Sequence, residues 1–307
     1  MSTNTKKELL SPLPYRDNLF LKKVLVITGG TSKLLYQIAC DFMALGGSVA
    51  IVSKYKTEVD RAAEKLNTKT KDHGFAKGYV VDLRYTTEIH GLVDNILNDF
   101  GRIDILVNGA SGNFLVDADK ISMNGFKTVV DIDLFSAFNL TQKVFNRWFK
   151  AHGGKVIFVN ATYHKLGTLL QVHASAAKGA VEAMCKSLAL EWGKFNVLVN
   201  CVSPGWIINT VSIAKLLDLR KVNMKEANTN DNKGEEVNNQ EALDIKEVEK
   251  LFPLNRFGNK YEFSKSLLFF CTDASNYITG QNIIVDGAQL SIFPNWVPFN
   301  RLLKPSF

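Results

Sequence analysis

The stretch Val24-Leu-Val-Ile-Thr28-Gly29-Gly30-Thr31-Ser32-Lys33-Leu34-Leu35 decides the fold. Its first half is a short β-branched run that predicts a buried strand, and Leu34 to Leu45 predicts a helix. A glycine-rich turn between the two frees backbone N–H groups and presents the positive end of the helix dipole, a natural seat for phosphate. The usual glycine spacing is incomplete, because Lys33 and Leu35 occupy the second and third glycine places. Two readings stand. Either Gly29, Gly30 and Ser32 cradle a phosphate to which Lys33 adds charge, or this is an ordinary strand–helix turn.

The same rhythm continues outward. Ser48 to Val52, Tyr79 to Asp82, Ile103 to Val107, Lys155 to Val159, Val197 to Val202 and Asn282 to Val285 predict further strands. Helices are expected over Glu58 to Leu66, Glu88 to Phe100, Phe126 to Lys150 and Ala174 to Trp192. Continuous apolar strands are buried on both faces, as in a parallel sheet covered by helices. The expected fold is therefore α/β, a doubly wound, Rossmann-like parallel sheet forming a single domain over residues 22–290. An extension (1–21) and a tail (291–307) flank it, and an Asn-, Lys- and Glu-rich stretch at about 223–240 reads as a flexible insertion. The tail suits either exposure as a targeting signal or packing of Ile292, Phe293, Trp296, Val297 and Phe299 at a subunit interface, and a homo-oligomer is expected.

Composition narrows the function classes. Of 307 residues, 46% are hydrophobic and 22% charged, which is ordinary for a globular protein. No apolar run approaches the ~18–20 residues of a membrane span, so no integral membrane segment is expected. Met1 to Leu10 is polar, unlike a signal peptide. The net charge of +7 suits an anionic ligand. The charges are dispersed rather than interleaved with aromatics, which argues against nucleic acid. Four scattered cysteines, with no Cys-x-x-Cys pair, read as buried free thiols. No histidine has a second ligand at metal spacing, so no metal is expected.

The second strand ends Ile51-Val52-Ser53-Lys54-Tyr55-Lys56, where an NAD site usually carries an acidic residue for the ribose 2′-hydroxyl. A hydroxyl and two lysines there favour a 2′-phosphate and hence NADP(H); the alternative is that Lys54 and Lys56 simply begin a solvated helix. Asp82 after the third strand either holds the adenine or caps the following helix.

From Lys22 to Ala288 the chain resembles the short-chain dehydrogenase/reductase family. The resemblance rests on Thr28-Gly-Gly30, Asp82, Asn108-Gly-Ala110, Lys178, Asn200-Cys-Val-Ser-Pro-Gly205 and Gly280-Gln-Asn-Ile-Ile-Val-Asp-Gly287. Within the family it is most similar to the 2,4-dienoyl-CoA reductases of the peroxisomal branch. The marks are Gly109-Ala-Ser-Gly-Asn-Phe114, Phe126-Lys-Thr-Val-Val-Asp-Ile-Asp133, Gln171-Val-His-Ala174 and Ser187-Leu-Ala-Leu-Glu-Trp192. The resemblance implies NADPH-dependent reduction of a 2,4-dienoyl-CoA to a 3-enoyl-CoA in unsaturated fatty-acid β-oxidation. It implies a peroxisomal location, with the cytoplasm as alternative, because Lys304-Pro-Ser-Phe307 is unlike a Ser-Lys-Leu signal. The cofactor residues it implies are Gly29, Gly30, Thr31, Ser32, Ser53, Lys54, Asp82, Leu83, Asn108, Lys178, Pro204, Gly205, Ile207 and Thr210. Substrate contacts carried over are Arg84, Phe114, Ser122, Met123, Asn124 and Lys215.

The chemistry turns on a departure. Most of the family reduces carbonyls with a tyrosine four residues before the lysine; here that position is Ala174, and the serine place falls near Ala161 and Thr162. A ketone reduced to an alkoxide needs an acid at its oxygen. A dienoyl thioester takes hydride at the far end of the conjugated system, and donors aimed at the thioester oxygen stabilise the enolate. Asp133 stands where the family usually has Asn, 45 residues before Lys178, and the two are expected to pair. Tyr163, 15 residues before Lys178, either donates to the thioester oxygen or is a packed aromatic. The rivals are a trans-2-enoyl-CoA or 3-oxoacyl reductase of the same family, and a noncatalytic relative that binds nucleotide or acyl-CoA. Leu35 in a glycine place supports the last.

Overall fold

The computed structural model describes residues 14–70, 74–208, 210, 245–250 and 252–291. The predicted insertion, the tail beyond Ser291 and Lys215 lie outside the described residues.

Seven parallel strands form one sheet: β1 (Val24–Thr28), β2 (Ser48–Ser53), β3 (Ala76–Val80), β4 (Ile105–Asn108), β5 (Gly154–Val159), β6 (Val197–Pro204) and β7 (Asn282–Val285). Their order is β3-β2-β1-β4-β5-β6-β7, the doubly wound arrangement whose direction reverses between β1 and β4. All five residues of β1 are buried, which is why its run is continuously apolar. Each large aliphatic side chain so buried contributes about 1.5–3 kcal/mol. The third strand begins and ends earlier than Tyr79 to Asp82: it is the edge of the sheet, and with Lys77 and Val80 exposed it is not a continuous buried run.

Two helical layers cover the sheet. On one face lie α1 (Lys33–Ala44) and α2 (Lys56–Lys69), contributing Ile38, Phe42 and Leu66 to the core beneath. The other face carries α3 (Thr86–Phe100) and a long helical region. That region runs as α4 (Met123–Val130), a π-helical turn (Asp131–Phe135), α5 (Ser136–Val144), a second π turn (Phe145–Phe149) and α6 (Lys150–His152). The sequence predicts it as one helix from Phe126. The extra residue that a π turn inserts leaves no mark on an apolar pattern. After β5 come a short α7 (Tyr163–Leu166) and the long α8 (Val172–Trp192). Next in the chain is α9 (Ile245–Glu249), and α10 (Lys260–Cys271) packs back beside α1. There Asp41 accepts from Gln37 at 2.8 Å and from Ser264 at 2.6 Å in a buried network. Among the described residues no helix is long and apolar enough to cross a membrane.

Candidate active site

The carboxyl ends of β1 and β4 are tied by one hydroxyl: Thr28 Oγ1 accepts from Gly109 N at 2.9 Å and Ala110 N at 3.0 Å. Above this tie opens a cavity of about 850 Å³, at the sheet's switch point where doubly wound folds bind ligands. Gly29 adopts φ +70°, and a methyl group there would stand 3.0 Å from the Gly109 carbonyl oxygen. Only glycine serves at that turn. Ser32 caps α1, its Oγ accepting from Leu35 N, which leaves the first turn's remaining N–H groups for an anion.

Leu35 does not obstruct this cradle. It is buried, and its Cδ1 would stand 2.4 Å from a methyl group placed on Gly109. The missing glycine on α1 is thus matched by a glycine on the facing strand end. Gly30 fits a different role from the cradle one: its α-carbon faces Ile27 and Ile51, and it serves packing rather than lining the cavity.

Along the rim, Thr31, Ser32, Lys33, Ser53, Lys54, Asp82, Leu83 and Arg84 line the opening. Asp82 does not cap α3. It grips Arg84 instead, accepting from Nε at 3.0 Å and from Nη2 at 2.5 Å. The Arg84 hydrogen bond, with help from Lys54, holds the Asp82 carboxyl below its usual range. Asn108 faces away from the cavity and donates from Nδ2 to Thr141 Oγ1 at 2.8 Å, so its side chain anchors α5 instead of lining the site.

The inner wall carries the chemistry-bearing groups. The π turn brings Asp133 inward, and both carboxylate oxygens are engaged. Oδ1 accepts from Gly112 N at 2.7 Å, and Oδ2 accepts from Ser111 Oγ at 2.8 Å. Lys178 on α8 places Nζ 3.3 Å from Asp133 Oδ2 and donates to the Val159 carbonyl at 3.1 Å. Both residues are almost wholly buried, and Lys178 still contributes to the cavity lining. The sequence carries no signal for this role of Ser111, because its partner lies on the π turn 22 residues away.

Tyr163 opens α7 and lines the same cavity. Burial, and then the nearby Asp133 charge, raise its phenol well above the usual value, so it stays protonated. Among the described residues its hydroxyl makes no hydrogen bond. Ala174 is fully buried, so no hydroxyl stands four residues before Lys178. Pro204, Gly205, Ile207 and Thr210 close the far side. A methyl group at Gly205 would collide with Asp286 at 2.6 Å, and Trp206 packs on Phe257 with ring centres 5.9 Å apart.

The predicted substrate contacts divide. Phe114 lines the cavity and stacks on His173 at 4.4 Å. Ser122, Met123 and Asn124 stand outside the cavity lining. Ser122 spends its hydroxyl on capping α4, accepting from Gly125 N at 3.1 Å, and Met123 is exposed. His164 is not isolated, for it bonds Glu182. Among the described residues no group of three His, Cys, Asp or Glu could hold a metal.

Comparison with known proteins gives the family. Residues 23–218 match the family model described as short chain dehydrogenase. The chain belongs to the short-chain dehydrogenase family. It is therefore an oxidoreductase working with a nicotinamide dinucleotide. Its relatives include a Mus musculus protein named peroxisomal 2,4-dienoyl-CoA reductase, (3E)-enoyl-CoA-producing, 35% identical over 91% of this chain and 88% of that one. A Danio rerio protein of the same name is 37% identical over 89% of this chain and 83% of its own. Among solved structures, a citronellol catabolism dehydrogenase from Pseudomonas aeruginosa PAO1 superposes with a TM-score of 0.73 at 26% identity, covering 90% of this chain and 98% of that one. An NAD+-bound xylitol dehydrogenase reaches 0.77 at 22% identity, covering 87% and 99%, a likeness that bears on the fold alone.

Proposed function

We propose that this short-chain dehydrogenase reduces 2,4-dienoyl-CoA thioesters to 3-enoyl-CoA with NADPH, in the peroxisomal oxidation of unsaturated fatty acids. The observation that carries the reading is Lys178, paired with the buried Asp133 behind it, sharing one cavity with Tyr163, while Ala174 occupies the place of the usual catalytic phenol. The activity in the names of the relatives supports it.

The residues fit a dinucleotide. The Gly29 turn and the first turn of α1 would hold the pyrophosphate, and Ser53 and Lys54 the ribose 2′-phosphate. Lys178 would hold the nicotinamide ribose, and Pro204, Gly205, Ile207 and Thr210 would wall the nicotinamide. When bound, this cofactor supplies the hydride.

The chain's own residues manage charge and proton. Tyr163, protonated and without a protein partner among the described residues, donates to the thioester oxygen as negative charge gathers there. Asp133 stands behind the wall and acts through others, fixing Lys178 and the Ser111–Gly112 turn. Lys178 Nζ, held between Asp133 and the Val159 carbonyl, orients the water that returns a proton to carbon. Arg84 and Lys54 at the rim suit the phosphates of coenzyme A. Phe114 presents an apolar face to the acyl chain. Ala174 weighs against a 3-oxoacyl reductase, which needs an acid beside the attacked carbon. The packing of Leu35 against Gly109 weighs against a noncatalytic binder.

The test is NADPH oxidation with a 2,4-dienoyl-CoA, run beside NADH and beside 2-enoyl- and 3-oxoacyl-CoA. Turnover confined to the dienoyl thioester, and lost in Lys178→Ala, supports the reading. Equal turnover of the 3-oxoacyl thioester overturns it.

A further inference from the structure

One carboxylate outside the described site gathers an unusual number of partners. Glu182 lies on α8, one turn beyond Lys178, and is buried. Oε2 contacts His164 Nε2 at 2.7 Å and accepts from Asn282 Nδ2 at 2.6 Å. Oε1 accepts from Lys165 Nζ at 2.6 Å and from Lys186 Nζ at 3.1 Å. Burial pushes the Glu182 carboxyl up, but the hydrogen bonds from Lys165, His164, Asn282 and Lys186 outweigh it and hold the group well below the carboxylate range.

Two of these partners, His164 and Lys165, sit directly after Tyr163 in α7. A four-residue helix carries little stability of its own, so its place depends on what grips it. Glu182 grips it from α8, and Asn282 ties the same carboxylate to β7, with Ser203 of β6 donating to Asn282 at 2.7 Å. The turn bearing Tyr163 is thereby referenced to three core elements. The β5–α8 connection is otherwise loosely built, with Leu166 and Leu169 largely exposed.

We propose that Glu182 is a positioning residue that, through His164, holds Tyr163 against the cavity wall. It touches neither substrate nor cofactor. The inference rests on the reading of Tyr163 as the oxygen's donor. Its consequence is specific: loss of the latch loosens Tyr163 and lowers kcat, while ground-state binding at the rim is untouched. A misplacement near 1 Å costs on the order of 100-fold, so a loosened rather than lost donor predicts roughly a 10- to 100-fold fall.

The experiment is a double-mutant cycle on the full chain, reading kcat and KM for dienoyl-CoA. Expected are a fall of roughly that size in kcat for Glu182→Gln with KM within about 2-fold, and no further fall when Glu182→Gln is added to Tyr163→Phe. His164→Leu should behave like Glu182→Gln, while His164→Gln, which retains a donor for Glu182, should keep most of the activity. If Glu182→Gln does not fold, the His164 pair carries the same comparison. An equal loss from Glu182→Gln in both backgrounds routes the effect through Lys178 or general stability, and overturns the proposal. Unchanged kcat in Glu182→Gln overturns it too. Unchanged kcat in Tyr163→Phe removes the donor reading itself, and the positioning role with it.

Discussion

Lys178 Nζ and Asp133 Oδ2 stand 3.3 Å apart with side chains only 6% and 0% exposed. The sequence supplies both residues. The structure adds that Asp133 is held from three sides by Ser111, Gly112 and Lys178. Removing one partner of such a pair strands the other charge in a dry site, which costs about 3–5 kcal/mol. Asp133→Asn and Lys178→Met should each lose stability on that scale. The double substitution should lose less than the sum. Urea unfolding of the four proteins checks this, and additivity would count against coupling.

Tyr163 should show a different signature. Its ring lines the cavity, and its hydroxyl has no protein partner among the described residues, so Tyr163→Phe should leave stability nearly unchanged. The loss falls on the reaction. Removing one donor aimed at a developing oxyanion typically costs ~10²–10³ in kcat. Steady-state kinetics with dienoyl-CoA should show that fall with little change in KM. A rise in KM at constant kcat would make the phenol a binding contact only.

The proposed preference for NADPH rests on the end of β2, where Ser53 and Lys54 line the rim without an acidic neighbour in the strand. Ser53→Asp places a carboxylate where an NAD site carries one. Repulsion of the 2′-phosphate and loss of a charge-assisted hydrogen bond of ~1.5–3 kcal/mol predict a fall of roughly 10- to 100-fold in kcat/KM for NADPH. NADH should gain. Comparing kcat/KM for the two coenzymes in wild type and variant decides it.

Much of the framework was legible because parallel strands buried on both faces read as continuous apolar runs, as Val24–Thr28 and Val197–Pro204 do. Helix α10 escaped notice. Leu267-Leu-Phe-Phe-Cys271 is an unbroken apolar run, which blurs the amphipathic period that announces a helix. The site was legible in its motif residues and not in its supports. Glu182 reads as a solvated helix charge until α7 and β7 are folded onto it, and Asn282 is 100 residues distant. Asn108 and Gly30 show the converse. Both belong to binding motifs, yet the fold spends them on packing.

His173 carries a pH dependence of stability. It is fully buried between Phe114 and Phe126. Burial lowers its pKa from 6.5, more than the Phe114 backbone and the Asp133 charge raise it. The sign follows from proton counting. Above pH 6.5 the imidazole is neutral in both folded and unfolded chains and stability is unaffected. As pH falls below that value the unfolded chain binds a proton that the folded chain refuses, so stability declines until the lower folded pKa is reached. One proton limits the slope to about 1.4 kcal/mol per pH unit. The depressed carboxyls of Asp82, Asp99, Glu182 and Glu262 act only below their ordinary values of 3.8 to 4.5, and the buried Asp41, whose carboxyl burial pushes up, contributes equally to wild type and variant, so the difference between the two reports His173. His173→Phe keeps the stacked packing and has no proton to take up. Denaturant melts between about pH 7 and pH 5 should therefore show a shallower decline for the variant than for the wild type. Parallel slopes would place the acid sensitivity elsewhere.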